Sequence, residues 1–432
     1  MKKIIAMISI LAICQTVLAD NIGTSTPERM GMSSERLDRV TDISRGYVEE
    51  GKLAGAITMI NRGGKIVHFE VVGNRGADDP RPLEKDDLFR IYSMTKPITA
   101  VAAMQLYEQG EFYMDDPVSK FVPELANLTM LDENGEQVAA GEEVTMHQIL
   151  THTAGFSYGF INPQHPVDKM YNEANLWEAM DLTEWAERLA KLPLMHKPGE
   201  KWHYSVASDV TGLVVERISG MPFDQYLEEN IFIPLGMEDT FFHVPEDKMD
   251  RFLPNQYWDR ENNKLTNTPE GEGVVYEIEG VAMRNYQKGS LFSGGGGLVS
   301  TIMDYMRFCE MLRNGGTFNG ERILSPKTIK FMTRNHLPSS LSASSGGEDP
   351  VAAAFPGVGF GLGFGVTMDP VLTRTSGSTG NYFWGGAAGT VFWIDPVEDL
   401  VVIAMIQLMR SPWKLRDDMA IATYQAIIES NE

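Results

Sequence analysis

Phe89-Arg90-Ile91-Tyr92-Ser93-Met94-Thr95-Lys96-Pro97 leads into a stretch whose apolar residues recur at helical spacing from Ile98 to Glu108. Pro97 lacks an N–H and fits best in the first turn of a helix, where the backbone donors have no intrahelical acceptor. That puts Ser93 and Lys96 on the opening turn. Three residues of spacing bring both side chains to one face, within reach of each other. The helix N-terminus adds partial positive charge where an alkoxide or oxyanion would develop. Serine is a poor nucleophile without a base at hydrogen-bond distance. A lysine serves only when burial or neighbouring charge favours its neutral form, and a tyrosine only when a cation favours its phenolate, so a Lys-Tyr pair does either job better than one residue. Tyr204-Ser205, at the entrance of a helix predicted over Val206 to Ile218, supplies such a tyrosine.

Two other serines stand in hydrolase-like patterns. Gly155-Phe156-Ser157-Tyr158-Gly159 spells the Gly-x-Ser-x-Gly elbow, but that device needs a strand before the serine, and Met146 to Thr151 reads as helix. Ser157 is therefore expected to be a structural loop serine. Ser411-Pro412-Trp413-Lys414 repeats Ser-x-x-Lys, where Ser followed by Pro reads as a helix cap with proline at the first position. His147 and His152 are five apart with no third ligand at metal spacing, so capping or core roles are expected and no metal site. His203 adjoins Tyr204 and, on a strand, would face the other way. Gly294-Gly295-Gly296-Gly297 lacks the Lys-Ser/Thr of a phosphate loop and is expected to let loop backbone turn or approach the site.

Outward from the Ser93 segment, the chain is β-rich at both ends. A helix from Ser34 behind a Ser33-Ser34-Glu35 capping signal, ended by Gly51, precedes strands Ala54 to Ile60 and Lys65 to Val72, joined by Asn61-Arg62-Gly63-Gly64. Strand-like runs return at Gly359 to Met368, Phe383 to Ile394 and Leu400 to Leu408, before a closing helix in Pro412 to Ser430. The middle is mainly helical, Thr183 to Leu192 included. Glu246 to Gly280 and Leu337 to Gly357 read as irregular loops. The expected fold class is α/β of the α+β type: an antiparallel sheet flanked by helices, carrying an inserted all-α domain. Residues 20–91 and 286–432 form the α/β domain in this reading, and 92–285 the insertion.

The 432 residues exceed the roughly 250–300 at which one core stops growing, so two lobes are expected. Asp plus Glu outnumber Lys plus Arg 59 to 37, and a net charge of −22 repels phosphate backbones and anionic lipid. Nucleic acid is excluded as a partner. Met1-Lys2-Lys3, an apolar run to Leu18 and Ala19 read as a secretory signal, residues 1–19, too short for a stable span. Ile13 before Cys14 is a poor fit to a lipoprotein signal. An exported, periplasmic or secreted protein is expected, with Cys309 as its one thiol and hence no internal disulfide.

Four segments together resemble the serine hydrolases of the class C β-lactamase superfamily, and most closely the family VIII carboxylesterases. They are Phe89 to Pro97, Leu150-Thr151-His152-Thr153-x-Gly155, Trp202-x-Tyr204-Ser205 and Trp384-Gly385-Gly386-Ala387-Ala388-Gly389-Thr390. The resemblance spans residues 25 to 430 or so and implies a β-lactamase/D,D-peptidase-like fold. It implies Ser93 as acylated nucleophile, Lys96 as its activating partner, Tyr204 as proton relay or general base, and the N–H groups of Ser93 and Ala387 as oxyanion hole. Trp384, Gly385 and Gly386 take the edge-strand position of Lys-Thr-Gly, and Ser205 that of the substrate-holding amide. Thr375-Ser376-Gly377-Ser378-Thr379-Gly380 also resembles the tail of such a strand but stands farther from Phe392 to Pro396. With Ser205 for Asn and Trp384 for Lys, an amide and a carboxylate-binding cation are missing. The resemblance therefore implies a cofactor-free carboxylesterase acting on small esters. The alternatives it leaves are a β-lactamase, D,D-peptidase, amide hydrolase or acyltransferase of the same fold, or a non-catalytic peptidoglycan- or penicillin-binding relative.

Overall fold

Ser33 caps the first helix, its Oγ accepting the Arg36 N–H at 3.3 Å, and α1 (Ser34–Glu49) ends where Gly51 at φ 69° turns the chain back. The computed structural model describes residues 22–269, 275–278, 281–284, 291–345 and 349–432. The expected leader at 1–19, the 285/286 domain boundary and parts of both expected loops lie outside the described residues.

Strands β1 (Gly55–Arg62) and β2 (Lys65–Gly73) form the first hairpin. Its turn is shorter than the four residues expected: Arg62 still pairs with Lys65, and only Gly63 and Gly64, both at positive φ, turn the chain. Such a two-residue turn matches strand twist only when both central residues have φ above zero, which glycine permits. A register shift at Ile60/Asn61 absorbs the difference. Arg62 is consequently a buried strand residue, paired with Glu398 at 2.7 Å and donating to the carbonyls of Met30, Gly31 and Glu429.

Helices α2 (Thr95–Glu108), α3 (Met146–Leu150), α4 (Ala207–Ser219) and α5 (Ile302–Arg313) follow. The helix expected over Thr183–Leu192 is Leu182–Leu189. Each run read as one long strand near the C-terminus is a hairpin or a split strand, and glycines break the first two of the three. Gly359–Met368 becomes β3 (Val358–Phe360) and β4 (Gly365–Thr367), and Phe383–Ile394 becomes β5 (Tyr382–Gly385) and β6 (Val391–Asp395). Leu400–Leu408 becomes β7 (Leu400–Met405), after which Leu408–Met409 leaves for another sheet. The closing helix α6 is Leu415–Tyr424. It starts later than Ser411 implied: the Ser411 Oγ accepts the Trp413 N–H at 3.3 Å in a local turn, and Lys414 is the residue before the helix.

The sheet is antiparallel, ordered β3-β4-β5-β6-β7-β1-β2. The N- and C-terminal parts of the chain meet where β1 pairs with β7, Ile57 with Met405 and Arg62 with Leu400. Every residue of β7 is buried, so both sheet faces are covered. Here α1 packs on β1, β2 and α6, while α5 packs on β7. Burying a side chain such as Ile57 or Val402 contributes about 1.5–3 kcal/mol.

The Glu246–Gly280 stretch is more regular than expected. Gln256–Asp259 pairs with Lys264–Asn267 and, in parallel, with Leu408–Met409. That partner comes from more than a hundred residues away, and such a pairing leaves no local periodicity to read.

Candidate active site

Tyr92 sits at φ 43°, in the left-handed region a bulky residue rarely adopts. The bend turns the chain from the short strand Phe89–Arg90 into a single 3-10 turn, Tyr92–Met94, which runs straight into α2. The turn is held from outside. Asn255 Nδ2 donates to the Tyr92 hydroxyl, Tyr305 Oη donates to the Met94 carbonyl at 3.0 Å, and the Leu298 N–H reaches Thr95 Oγ1 at 3.1 Å. Ser93 and Lys96 thus lie on the opening turn, as the position of Pro97 indicates.

Lys96 is 1% exposed, and its ammonium makes three contacts: Ser93 Oγ at 3.1 Å, Tyr158 Oη at 2.8 Å and the Gly295 carbonyl at 2.7 Å. Tyr204 Oη lies 2.7 Å from Ser93 Oγ, and its ring is 4.6 Å from the Lys96 nitrogen. The serine therefore has two proton-handling groups at bonding distance.

Tyr204 is placed by two segments that lie against each other. The chain at 152–157 accepts N–H groups from the chain at 195–206: Met195 to Gly155 at 2.7 Å, His203 to His152 at 2.8 Å and Val206 to Ser157 at 3.4 Å. These bonds set Tyr158 beside Tyr204, ring centroids 5.3 Å apart. Tyr158 carries no motif of its own in the sequence. Its signal was the Gly-x-Ser-x-Gly spelling around it, which pointed at the wrong side chain. Ser157 is fully buried, its hydroxyl donating to Asp168 and accepting the Gly159 N–H at 3.2 Å. It is the structural serine expected.

Ser205 is also fully buried, which corrects its assignment to substrate binding. Its Oγ lies 3.4 Å from His152 Nδ1 and accepts the Ala207 N–H, so it satisfies the start of α4. His152 accepts the Ser205 N–H at Nδ1, and burial holds its pKa well below 6.5, so the ring is neutral beneath Tyr204. His147 pairs with His336 at 3.1 Å. His203 lies on no strand; its Nδ1 is 3.0 Å from Asp349, which also accepts the Tyr204 N–H at 3.2 Å. Asp349, in a stretch read as irregular, gave no sequence signal. Burial pushes its pKa up, but His203 and the N–H groups of Ala352 and Tyr204 outweigh this and hold it below the usual carboxylate range.

Strand β5 brings the fourth segment. Trp384 Nε1 lies 3.4 Å from Tyr204 Oη, with ring centroids 5.6 Å apart. A Cβ on Gly386 would sit 2.5 Å from the Ile91 carbonyl oxygen, so only glycine lets this strand reach the nucleophile turn. At Gly385 a Cβ would meet only the Thr390 carbonyl, at 3.1 Å. Ala387 is exposed; its carbonyl accepts the Arg410 N–H at 3.1 Å, while among the described residues no acceptor takes its own N–H. That N–H and the Ser93 turn are the donors the resemblance implies for an oxyanion. The competing Thr375–Gly380 stretch is a loop by Asp395, whose Oδ2 accepts the Ser378 N–H at 3.0 Å.

The model of the Beta-lactamase family matches residues 40–425. The chain belongs to the beta-lactamase family. It is 35% identical to Protein Rv1367c of Mycobacterium tuberculosis over 84% of this chain and 88% of that one. It is 31% identical to Esterase EstB of Burkholderia gladioli over 86% of this chain and 89% of EstB. Among solved structures, EstCE1, titled a hydrolase with promiscuous acyltransferase activity, superposes with a TM-score of 0.77, at 24% identity over 90% of this chain and 99% of EstCE1. The family VIII resemblance and the antiparallel α/β fold expected from the sequence agree with these matches.

Proposed function

We propose that this member of the beta-lactamase family is a serine hydrolase that cleaves small neutral carboxylic esters through an acyl-enzyme on Ser93. The observation that carries the reading is Ser93 Oγ between Tyr204 Oη at 2.7 Å and Lys96 Nζ at 3.1 Å. In this mechanism Ser93 Oγ attacks the ester carbonyl while its proton passes to the Tyr204–Lys96 pair. The N–H groups of Ser93 and Ala387 hold the developing oxyanion, each aimed donor contributing about 3–4 kcal/mol in the transition state. The same pair returns the proton to the leaving alkoxide, and water, deprotonated in the same way, releases the acid and restores Ser93.

Neutral esters are favoured by what surrounds the serine. Phe160, Tyr158, Tyr204, Trp384 and Phe355 form an aromatic arc with successive centroids 5.0, 5.3, 5.6 and 6.3 Å apart. Trp384 stands where a carboxylate-binding lysine would be in β-lactamases, and the esterase name of EstB supports the same substrate class. The test is side-by-side turnover of p-nitrophenyl butyrate and a chromogenic cephalosporin, with Ser93→Ala as control. Ester turnover lost with Ser93 supports the proposal; faster cephalosporin turnover makes the protein a β-lactamase, and activity surviving in Ser93→Ala overturns the mechanism.

Two further parts of the reading rest on the sequence pattern. Residues 20–91 and 286–432 are taken as one domain and 92–285 as its insertion, supported by all seven strands of the large sheet lying outside 92–285. Export is supported by the 1–19 pattern; N-terminal sequencing of the mature protein should begin at Asp20, and a retained Met1 would refute it.

A further inference from the structure

One glycine away from Lys96 lies a buried carboxylate that the mechanism above does not use. Asp209, 1% exposed on α4, accepts the Gly295 N–H at 3.0 Å and the Ser293 hydroxyl at 2.5 Å, both on Oδ1. The carbonyl of the same residue, Gly295, accepts the Lys96 ammonium at 2.7 Å. One glycine therefore joins the two groups, its N–H facing the anion and its C=O facing the cation.

The fit around this residue is close. A Cβ on Gly295 would stand 2.4 Å from Asp209 Oδ2 and 2.7 Å from Tyr158 Oη, so a side chain there would separate all three groups. Gly294 is equally constrained, with Ser208 O at 2.6 Å from its would-be Cβ, and its carbonyl accepts the Thr99 hydroxyl at 2.7 Å. Asp209 Oδ2 is buried and has no hydrogen-bond partner among the described residues. Burial pushes the Asp209 pKa up, while the Lys96 charge and the donors on Oδ1 oppose that shift. Among the described residues, the titratable groups facing Lys96 are Tyr158, Tyr204, His152 and Asp209. Among these four, Asp209 alone is a carboxylate.

We propose that Asp209 is a positioning residue for Lys96, acting through Gly295: its carboxylate orients the glycine so that the carbonyl points at the ammonium, and it supplies the negative charge that compensates Lys96 in the closed site. This rests on the reading of Ser93, Lys96 and Tyr204 given above. It makes Asp209 a determinant of the pH range over which the pair can exchange its proton. The Gly294–Gly297 run serves as the connector.

The experiment is the pH profile of kcat/KM for p-nitrophenyl butyrate in wild type and Asp209→Asn, with circular dichroism and Tm checked for each. Asparagine keeps the shape and an acceptor for Gly295 but not the charge. Loss of a neighbouring negative charge makes a lysine release its proton more easily, so the profile should move to lower pH by about one unit, with kcat falling more than KM changes. A folded Asp209→Asn enzyme whose profile superposes on wild type overturns the proposal. Should Asp209→Asn not fold, Ser293→Ala decides. It removes one donor from the carboxylate, favours its protonated form, and should move the profile in the same direction by about 0.3 unit; superposition again overturns it. Full turnover in Ser93→Ala would instead bring down the underlying assignment of the site, a result distinct from either superposition.

Discussion

Ser93 and Ser157 stand in two hydrolase-like motifs that converge on one lysine, and their environments are opposite. Ser93 is half-buried, on a turn that follows a strained residue, with a tyrosine and a lysine at its Oγ. Ser157 is fully buried, its hydroxyl given to a carboxylate that also accepts the Asn162 N–H at 2.6 Å. A nucleophile needs access for substrate and a base to receive its proton. A buried hydroxyl bonded to Asp168 has neither access nor freedom to turn. The Ser157 segment still contributes to the site through its neighbour, since Tyr158 supplies one of the three acceptors around Lys96.

Substitutions sharpen this contrast in descending order of effect. Ser93→Ala should lower kcat/KM for p-nitrophenyl butyrate by about 10⁴-fold or more while Tm hardly moves. A comparable loss in Ser157→Ala alone would reverse the assignment of the two serines. Tyr158→Phe removes one hydrogen bond to a charged group, a contribution of about 1.5–3 kcal/mol, so kcat should fall about 10- to 100-fold. An unchanged kcat would show that the Tyr158 hydroxyl is only a spectator of Lys96. Ser157→Ala should keep kcat within about threefold but lower stability by about 1–3 kcal/mol, because Asp168 loses a donor in a closed site. Urea melts read this directly, and an unchanged midpoint would mean that the Asp168 contact contributes nothing net.

Much of this was legible in the linear chain. Ser-x-x-Lys-Pro before an apolar-periodic helix places a serine and a lysine on one turn by local geometry alone, and that geometry holds at Ser93 and Lys96. The first hairpin is written in two β-rich runs around Gly63-Gly64, whereas the hairpins β3–β4 and β5–β6 read as single strands. Strand ends were less legible: Arg62 reads as a turn residue until its buried partner Glu398, 336 positions away, is known. Ser205 looks like a substrate contact because it follows Tyr204, yet its hydroxyl is turned to His152 and the start of α4. No sequence signal marks Asp349 or Asp209 as site residues. Each acts through a backbone N–H of a remote segment, and a carboxylate bound to backbone needs no particular partner residue that a motif could show.

Short-range sterics set the opening turn of α2 with its Ser93–Lys96 face, the Gly63-Gly64 turn, and the absence of a side chain where β5 approaches Ile91, and all three can be read from local sequence. Tertiary structure decided which tyrosines reach that face, which of two motif serines stays accessible, and which buried carboxylates stand behind the lysine and the tyrosine. Those outcomes depend on distances between segments far apart along the chain, fixed by packing and by hydrogen bonds between backbones, and neither has a local periodicity to read.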